Sequence, residues 1–383
     1  MHGTIESVFR VEWRPLAELA AIAADWRALA ARALEPNVFY EPSFALAAAP
    51  VFGRDAGAGL VWSAGAAPRL VGFFPARLER RRYGIVLPVL LGWTNPYAPL
   101  GTPLVNRDAA TAVIAAWFDH LAGHPELPNI VLLPYLPQQG ALAQALDQAV
   151  AARGGKQASL ARQQRALLAP KDQRVGYLDR AIGRKKRKEL RRQRKRLAEG
   201  GVVMRGTAGA PATVANALDD FLALEAGGWK GRAGTAARAN RDLRNFFETA
   251  LAQLAGEGKA RIDRLFIDAR AIAAIIVLRS GASVWCWKIA YDESFARVSP
   301  GVQLLADVTQ ALLDDPAIAR ADSCASENHP MIDHVWRERL PLASRLISVT
   351  PGPSFRFTLA CTLEGFRLAA IGAAKAARDL WRR

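Results

Sequence analysis

The side chains best suited to chemistry gather in the second half of the 383 residues. Glu225 stands shortly before Trp229 and Lys230 in LEAGGWKGRAGT. Lys288 and Tyr291 end the strand-like run VWCWKIAY, and Asp322 is followed by Cys324, Glu327, His329 and His334. A carboxylate on a partly apolar helix end can take a proton, a tyrosine can give one to a leaving atom, and an imidazole titrates near neutral pH. Ser299-Pro300-Gly301 leads through Val302 and Gln303 into an apolar helical pattern. Free N–H groups and the positive end of the helix dipole at such a turn suit an anion, and a glycine lets it come close. Each feature also has a plain structural reading. Ser and Pro are ordinary cap residues, Tyr291 can pack at a strand end, Asp322 can cap a turn and Lys230 can face water.

Metal and thiol chemistry find less support. His329 and His334 are five apart and miss the i,i+4 geometry of a helical pair. His120 and His124 have that spacing but straddle Gly123-His124-Pro125, where a helix ends. Cys286, Cys324 and Cys361 share no CxxC spacing, so neither a disulfide framework nor a thiolate zinc site is expected. No metal is assigned.

These residues need a scaffold, and composition bounds it. The length suggests two domains or three. With 51% hydrophobic and 22% charged residues, sizeable cores are possible and wholesale disorder is excluded. The start, MHGTIESVFRVEW, shows no secretory pattern, and no 18-residue uncharged apolar stretch occurs, so a cytoplasmic protein without a spanning helix is expected. Lys plus Arg number 51 against 35 acidic residues, a net charge of +16. Residues 184–196, RKKRKELRRQRKR, carry ten basic residues and one Glu and so hold +9 of it. That local charge points to a phosphate, a phosphorylated cofactor, an anionic membrane or a nucleic acid.

Periodicity predicts a helix over 14–33, another from near Ser43, strands at 60–63, 70–76 and 85–91, and an extended loop over 92–106. A helix at 108–123, a strand at 130–135, a helix at 141–152 and a surface turn at 153–159 come next. In the second half a basic helix over about 180–198 uses Ile182, Leu190 and Leu197 as its inner face. Then come a strand at 202–205, helices at 212–226 and 238–255, and three strands at 261–267, 272–278 and 284–289 joined by hairpin turns. Helix 302–314, strand 319–323, a short helix at 330–337, strand 346–349 and a helix over 354–381 complete the chain.

An antiparallel meander feeding a helix that opens on Pro-Gly is the element order of the acyl-CoA N-acyltransferase fold. RKKRKELRRQRKRLAEGG (184–201), LEAGGWKGRAGT (224–235), WKIAYDESFARVSPGVQLLADV (287–308) and Asp322 together resemble the acetyltransferase-like (GNAT) family typified by CelD-like proteins of cellulose biosynthesis, related to Fem-type aminoacyltransferases. The resemblance is strongest over 170–340 and fainter through VFYEPSF (38–44) and VGFFPARLER (71–80). It implies an α/β fold of tandem GNAT-like domains: a degenerate one over 1–170, an acyltransferase domain over 171–350, and an amphipathic helix over 351–383. It further implies acetyl-CoA or a longer acyl-CoA as co-substrate, with Ser299, Gly301, Val302 and Gln303 holding it. Glu225, Tyr291, Asp322 and His329 are the catalytic candidates, and Trp229, Lys230 and Lys288 the substrate-binding ones. ADSCASENHPMIDHVW (321–336) departs from the family: Asp322 and Trp336 remain, while the expected Gly and Tyr-Lys pair give way to Ser, Cys, Glu and two histidines. Direct transfer needs no covalent enzyme intermediate, so Cys324 is not expected to be a nucleophile.

The acceptor is expected to be an amine on an amino sugar, an amino acid or a long-chain amino-alcohol. Contact of 184–196 with an anionic membrane would place the protein at the inner face of the cytoplasmic membrane. A transfer-RNA-dependent Fem-like transferase ranks lower, because no long helical-hairpin insertion is evident. A plain nucleic-acid binder lacks aromatic interleaving in the basic run. A non-catalytic accessory protein of polysaccharide or envelope assembly is the remaining class.

Overall fold

The computed structural model describes residues 9–170 and 173–381. The expected lack of a secretory signal rests on residues 1–13, of which residues 1–8 lie outside the described residues. In chain order the first half contains β1 (Phe9–Pro15), α1 (Ala23–Ala31), α2 (Pro42–Phe52), β2 (Ala56–Ser63), β3 (Leu70–Glu79), β4 (Val89–Gly92), β5 (Leu104–Val105), α3 (Ala110–Gly123), β6 (Ile130–Pro137), α4 (Ala141–Ala152) and β7 (Lys156–Leu168). The second contains α5 (Tyr177–Ala181), α6 (Arg184–Ala198), β8 (Val203–Ala208), α7 (Pro211–Gly227), α8 (Trp229–Arg232), α9 (Arg241–Gly256), β9 (Ala260–Ile267), β10 (Arg270–Ser280), β11 (Ser283–Tyr291), α10 (Pro300–Asp314), β12 (Arg320–Asp322), β13 (Glu338–Ser348) and α11 (Phe355–Trp381).

Several expectations fail for physical reasons. The helix predicted over 14–33 is a strand to Pro15, a 3-10 stretch over Leu16–Ile22 and only then α1. Leu16 and Leu19 are buried at i,i+3, a spacing that a 3-10 helix satisfies as well as an α-helix. Residues 92–106 are not wholly loop, since Leu104 and Val105 pair with Phe73 and Gly72 of β3. The turn expected at 153–159 runs into the 13-residue β7, whose polar outer positions hide its alternation. Ile182 does not belong to the basic helix; it caps α5, while Leu190 and Leu197 do face the core. The helix expected at 330–337 shrinks to a 3-10 turn at Ile332–His334.

The chain forms two compact units. One comprises Met1–Pro42, Phe52–Gln163 and Pro341–Arg383; the other comprises Ser43–Val51 and Gln164–Leu340. In the first, β1 to β4 form an antiparallel meander, β4 runs parallel to β6, and β13 closes the order antiparallel to β6. In the second, β8 to β11 form the same meander, β11 runs parallel to β12, and β7 closes the order antiparallel to β12. The fold is therefore α/β with two acyl-CoA N-acyltransferase-like sheets in tandem. The closing strands are exchanged: β7 follows the first meander in sequence but closes the second sheet, and β13 does the reverse.

The second unit's core packs α10 onto one sheet face through Leu304, Leu305, Val308 and Leu312, beside Ile275, Val277, Cys286 and Trp336. The Trp336 indole donates to the Thr309 hydroxyl at 2.9 Å, which anchors the chain after β12 to α10. Another cluster is aromatic. Trp287 of β11 lies 4.9 to 6.0 Å from Phe247, Phe44 and Phe246, ring centre to ring centre. Phe44 comes from α2, which explains why that helix belongs to this unit. In the first unit Phe74 stacks on Trp117 of α3 at 5.6 Å, and Trp26 meets Phe73 at 4.2 Å.

Candidate active site

The site begins with two parallel strands that part. β11 and β12 pair only at Ser283–Arg320, Val284–Ala321 and Trp285–Asp322. β12 then ends, and β11 continues six residues to Tyr291. The cause lies in β11 itself. Its register with β10 slips at Trp287, since Ile276 faces Lys288 while Val277 faces Cys286. Such a bulge bends a strand and re-aims the side chains beyond it. Val284 and Cys286 before it, and Ile289 and Tyr291 after it, all join the same core, so the alternation changes parity across Trp287. Lys288 is thereby turned to the opposite face, toward α7 and α8.

There it meets Glu225 and Lys230. Glu225 is buried near the end of α7, and both its oxygens are engaged: Lys230 Nζ donates to Oε1 and the Ala237 N–H to Oε2 at 2.9 Å. The carboxylate thus pins the glycine-rich loop. Burial, and then the charge of Lys230, lower the Lys288 ammonium to about 8, while Cys324 and Glu225 act the other way. Trp229 is not part of this group. It is 63% exposed, and its N–H donates to Glu293 Oε1 at 2.8 Å.

Asp322, at the end of β12, is buried between Arg165 Nη1 at 3.0 Å and the Cys324 N–H at 2.8 Å. Cys324 follows with a left-handed backbone (φ 53°). Burial, and then the Asp322 carboxylate, hold its thiol well above the usual range, so it stays protonated at neutral pH. Cys286 is raised to about 12, chiefly by burial.

The turn into α10 forms the other half of the site. Ser299 adopts a left-handed conformation (φ 51°) and its hydroxyl makes no cap hydrogen bond. Its carbonyl accepts from the Val302 and Gln303 N–H groups at 3.1 Å. Gly301 is buried, and a methyl group there would lie 3.0 Å from Met331 Cε and 3.3 Å from Tyr291 Cδ1. Tyr291, from the parted end of β11, therefore stands directly beside the turn. The Gln303 side chain is committed elsewhere, donating to the Val298 carbonyl at 2.6 Å and accepting from Arg194 at 3.3 Å. His329 Nδ1 accepts the Met331 N–H at 3.3 Å, which leaves the hydrogen of the neutral ring on Nε2. Burial lowers its pKa, with Asp333 opposing.

The structure thus gathers Glu225, Lys230, Lys288, Asp322 and Cys324 near the parting strands, and Tyr291, Ser299, Gly301, Val302 and His329 around the turn. Arg165, Glu293 and Met331 carry much of the geometry and were not singled out from the sequence. Their partners are 157, 64 and 30 residues away in the chain respectively, and no local pattern announces such pairs.

Residues 184–329 match the family model described as an acetyltransferase (GNAT) domain. The chain also resembles the solved structure of FemX, with 9% identity over 85% of this chain and 95% of that one and a TM-score of 0.55. L-PGS from Bacillus licheniformis gives 12% identity over 92% and 97% and a TM-score of 0.51. The C-terminal domain (DUF2156) described as that of a putative lysylphosphatidylglycerol synthetase from Agrobacterium fabrum gives 11% over 85% and 91% and a TM-score of 0.51. At such identities these likenesses show a shared fold. No curated protein matches the chain. The domain over 184–329 is of the GNAT acetyltransferase type, with the fold seen in Fem-related proteins. The protein is an acyltransferase.

Proposed function

We infer that this protein transfers an acyl group from an acyl-CoA thioester to an amine by direct attack. The observation that carries the reading is the parting of β11 from β12 next to the glycine turn of α10. A thioester arm can enter between the strands while its phosphates meet the turn. The Ser299 hydroxyl and the Gly301 N–H would hold the pyrophosphate, while the Val302 N–H, given to the Ser299 carbonyl, and Gln303, bonded to the Val298 carbonyl, keep the turn in shape.

In the reaction the amine nitrogen bonds to the thioester carbonyl carbon and the C–S bond breaks. The nitrogen's proton passes to Lys288, whose lowered pKa leaves part of it neutral near pH 8. Glu225 and Lys230 set its charge rather than touching the substrate. The Tyr291 hydroxyl protonates the leaving sulfur and regains a proton through solvent. His329, with its hydrogen on Nε2, suits donation to the oxyanion better than proton abstraction. Asp322 positions Cys324 and the end of β12. Trp229, exposed at the rim of the glycine-rich loop, offers an apolar surface to the acceptor.

The test is native mass spectrometry after exposure to a mixture of acyl-CoA species, followed by product analysis with amine acceptors. Adducts with one acyl length and N-acylated product support the reading. Transfer only from a charged transfer RNA would move the protein to the Fem-like class.

One observation favours an acceptor at a membrane. The helix stretch Phe355–Ala377 is 23 residues long with mean hydropathy 1.3, long and apolar enough to cross a bilayer, and only 11% of its window is buried. This differs from the expectation of no such segment, because Arg356, Glu364, Arg367 and Lys375 interrupt any uncharged run without making the helix polar. A peripheral enzyme with this helix against lipid would act on a long-chain amine at the cytoplasmic face.

A further inference from the structure

The connection between β3 and β4 departs from the usual chemistry of a hairpin tip. Glu79 pairs with Val89, so residues 80–88, RRRYGIVLP, form the loop, turned by Gly84 (φ 78°). Such tips are ordinarily polar. Here Ile85 is 46% and Val86 71% exposed, shortly after three consecutive arginines.

The loop is nonetheless fixed, and what fixes it is α11, which belongs to the same unit. Arg82 Nε and Nη2 donate to the two Glu364 oxygens, each at 2.9 Å, and both side chains are largely shielded from water. Tyr83 and Leu87 pack in one cluster with Phe357, Leu359 and Leu363 of the helix. Ile85 and Val86, between them, are left outside it. The helix leaves apolar side chains outside too: Phe355 and Phe366 are exposed. Eleven residues apart, they fall within about 20° of each other, on the side of the helix away from Ala360 and Glu364.

Cations stand beside this apolar surface. Arg80, Arg81 and Arg356 are exposed and make no ion pair among the described residues. Arg80 of the loop and Arg356 of the helix line one cavity of about 640 Å³, to which Glu126 contributes the only acid among the lining residues.

We propose that the β3–β4 loop is a lipid-docking wedge, with Ile85 and Val86 entering the acyl-chain boundary of an anionic bilayer while Arg80, Arg81 and Arg356 meet lipid phosphates. Exposed apolar side chains rimmed by cations match an interface that is anionic outside and apolar within. A second copy of the chain would cover the apolar side chains but leave the arginines unpaired, so the charge favours lipid. The inference rests on the reading of α11 as a lipid-facing helix, and it stands apart from the identity of the acyl donor.

The experiment is cosedimentation of the whole protein with phosphatidylcholine vesicles, with and without phosphatidylglycerol. Wild type is compared with Ile85→Ser/Val86→Ser and Arg80→Gln/Arg81→Gln, and thermal melts confirm that these exposed substitutions keep the fold. The serine variant is expected to partition about tenfold less onto both kinds of vesicle. The glutamine variant should lose about tenfold on anionic vesicles alone, a loss that shrinks as salt is added. In Val86→Trp, the emission added over wild type should shift to the blue on vesicles and be quenched by brominated acyl chains. Unchanged partitioning of the serine variant, or added emission that lipid leaves unaltered, overturns the wedge and leaves α11 as the lipid contact. Failure of wild type to bind any vesicle overturns both. Wild type that dimerises without lipid, with a serine variant that is monomeric yet binds vesicles normally, overturns the wedge in favour of self-association.

Discussion

Arg165 and Asp322 meet at 3.0 Å with both side chains buried, joining the end of β7 to the end of β12 just beyond their pairing at Leu167 and Leu168. Removing one partner leaves a charge stranded away from water, which costs about 3–5 kcal/mol. Arg165→Met should therefore lower the stability of the second unit by that order in urea denaturation. Arg165→Met/Asp322→Leu should recover most of the loss. Equal midpoints for wild type and the single variant would show that the pair is solvated in solution.

Lys288 should make both stability and rate depend on pH. Its folded value is about 8 against an ordinary 10.5, lowered by burial and by Lys230. Between these values the unfolded chain holds a proton that the folded chain lacks, so stability should rise with pH from 8 to 10.5 and be flat below. Lys288→Met should abolish that slope in denaturation at pH 7, 8, 9 and 10. Under the proposed mechanism kcat should climb through an apparent pKa near 8, and the limb should vanish in the same variant.

Gly301 is a position where a small change should separate binding from folding. Gly301→Asp puts a carboxylate where the donor's pyrophosphate is proposed to lie, and CoA affinity should fall at least about tenfold in calorimetry. Gly301→Ala meets only the far end of the Met331 side chain at 3.0 Å and Tyr291 at 3.3 Å. It should cost far less, and unchanged CoA affinity in the aspartate variant would move the phosphate site elsewhere.

The first part of α11 is pinned by Glu364, buried against Arg82 at 2.9 Å, whereas residues 369–377 are exposed. Truncation after residue 365 should change the melting behaviour little. If the helix rests on lipid, the truncated chain should lose cosedimentation with vesicles of zwitterionic as well as anionic lipid, because its contribution is mainly apolar. Undiminished sedimentation would discard the lipid role of α11.

The second unit was readable because its patterns are local. Three of the four meander strands, β9 to β11, carry apolar runs bounded by turns at Asp268 and Gly281, both with positive φ. Helix α10 announces itself through Pro300 and its apolar face. The basic helix was visible as composition, but its seat on α10 depends on Gln193 and Arg194, whose partners are 104 to 113 residues away. The bulge at Trp287 was hidden because VWCWKIAY reads equally well as an unbroken strand. Its effect, turning Lys288 toward Glu225, is a matter of register rather than of residue type. Likewise β7 was missed because RQQR interrupts its apolar alternation, and the buried Arg165 within it looks like any surface arginine.

The exchanged closing strands bear on how the chain can be made. On the ribosome β6 emerges early, yet its antiparallel partner at Leu342–Ser348 lies about 200 residues downstream. Until that segment appears, the first sheet keeps an open edge along β6, the kind of edge that invites pairing with another chain. The nascent β7, already available, must be held back for β12, which is synthesised more than 150 residues later. Contacts this distant slow folding, and the waiting edges favour strand exchange between molecules. An N-terminal fragment ending near residue 170 should therefore aggregate when expressed alone, and a limiting supply of chaperones should lower the yield of the intact protein more than its final stability implies.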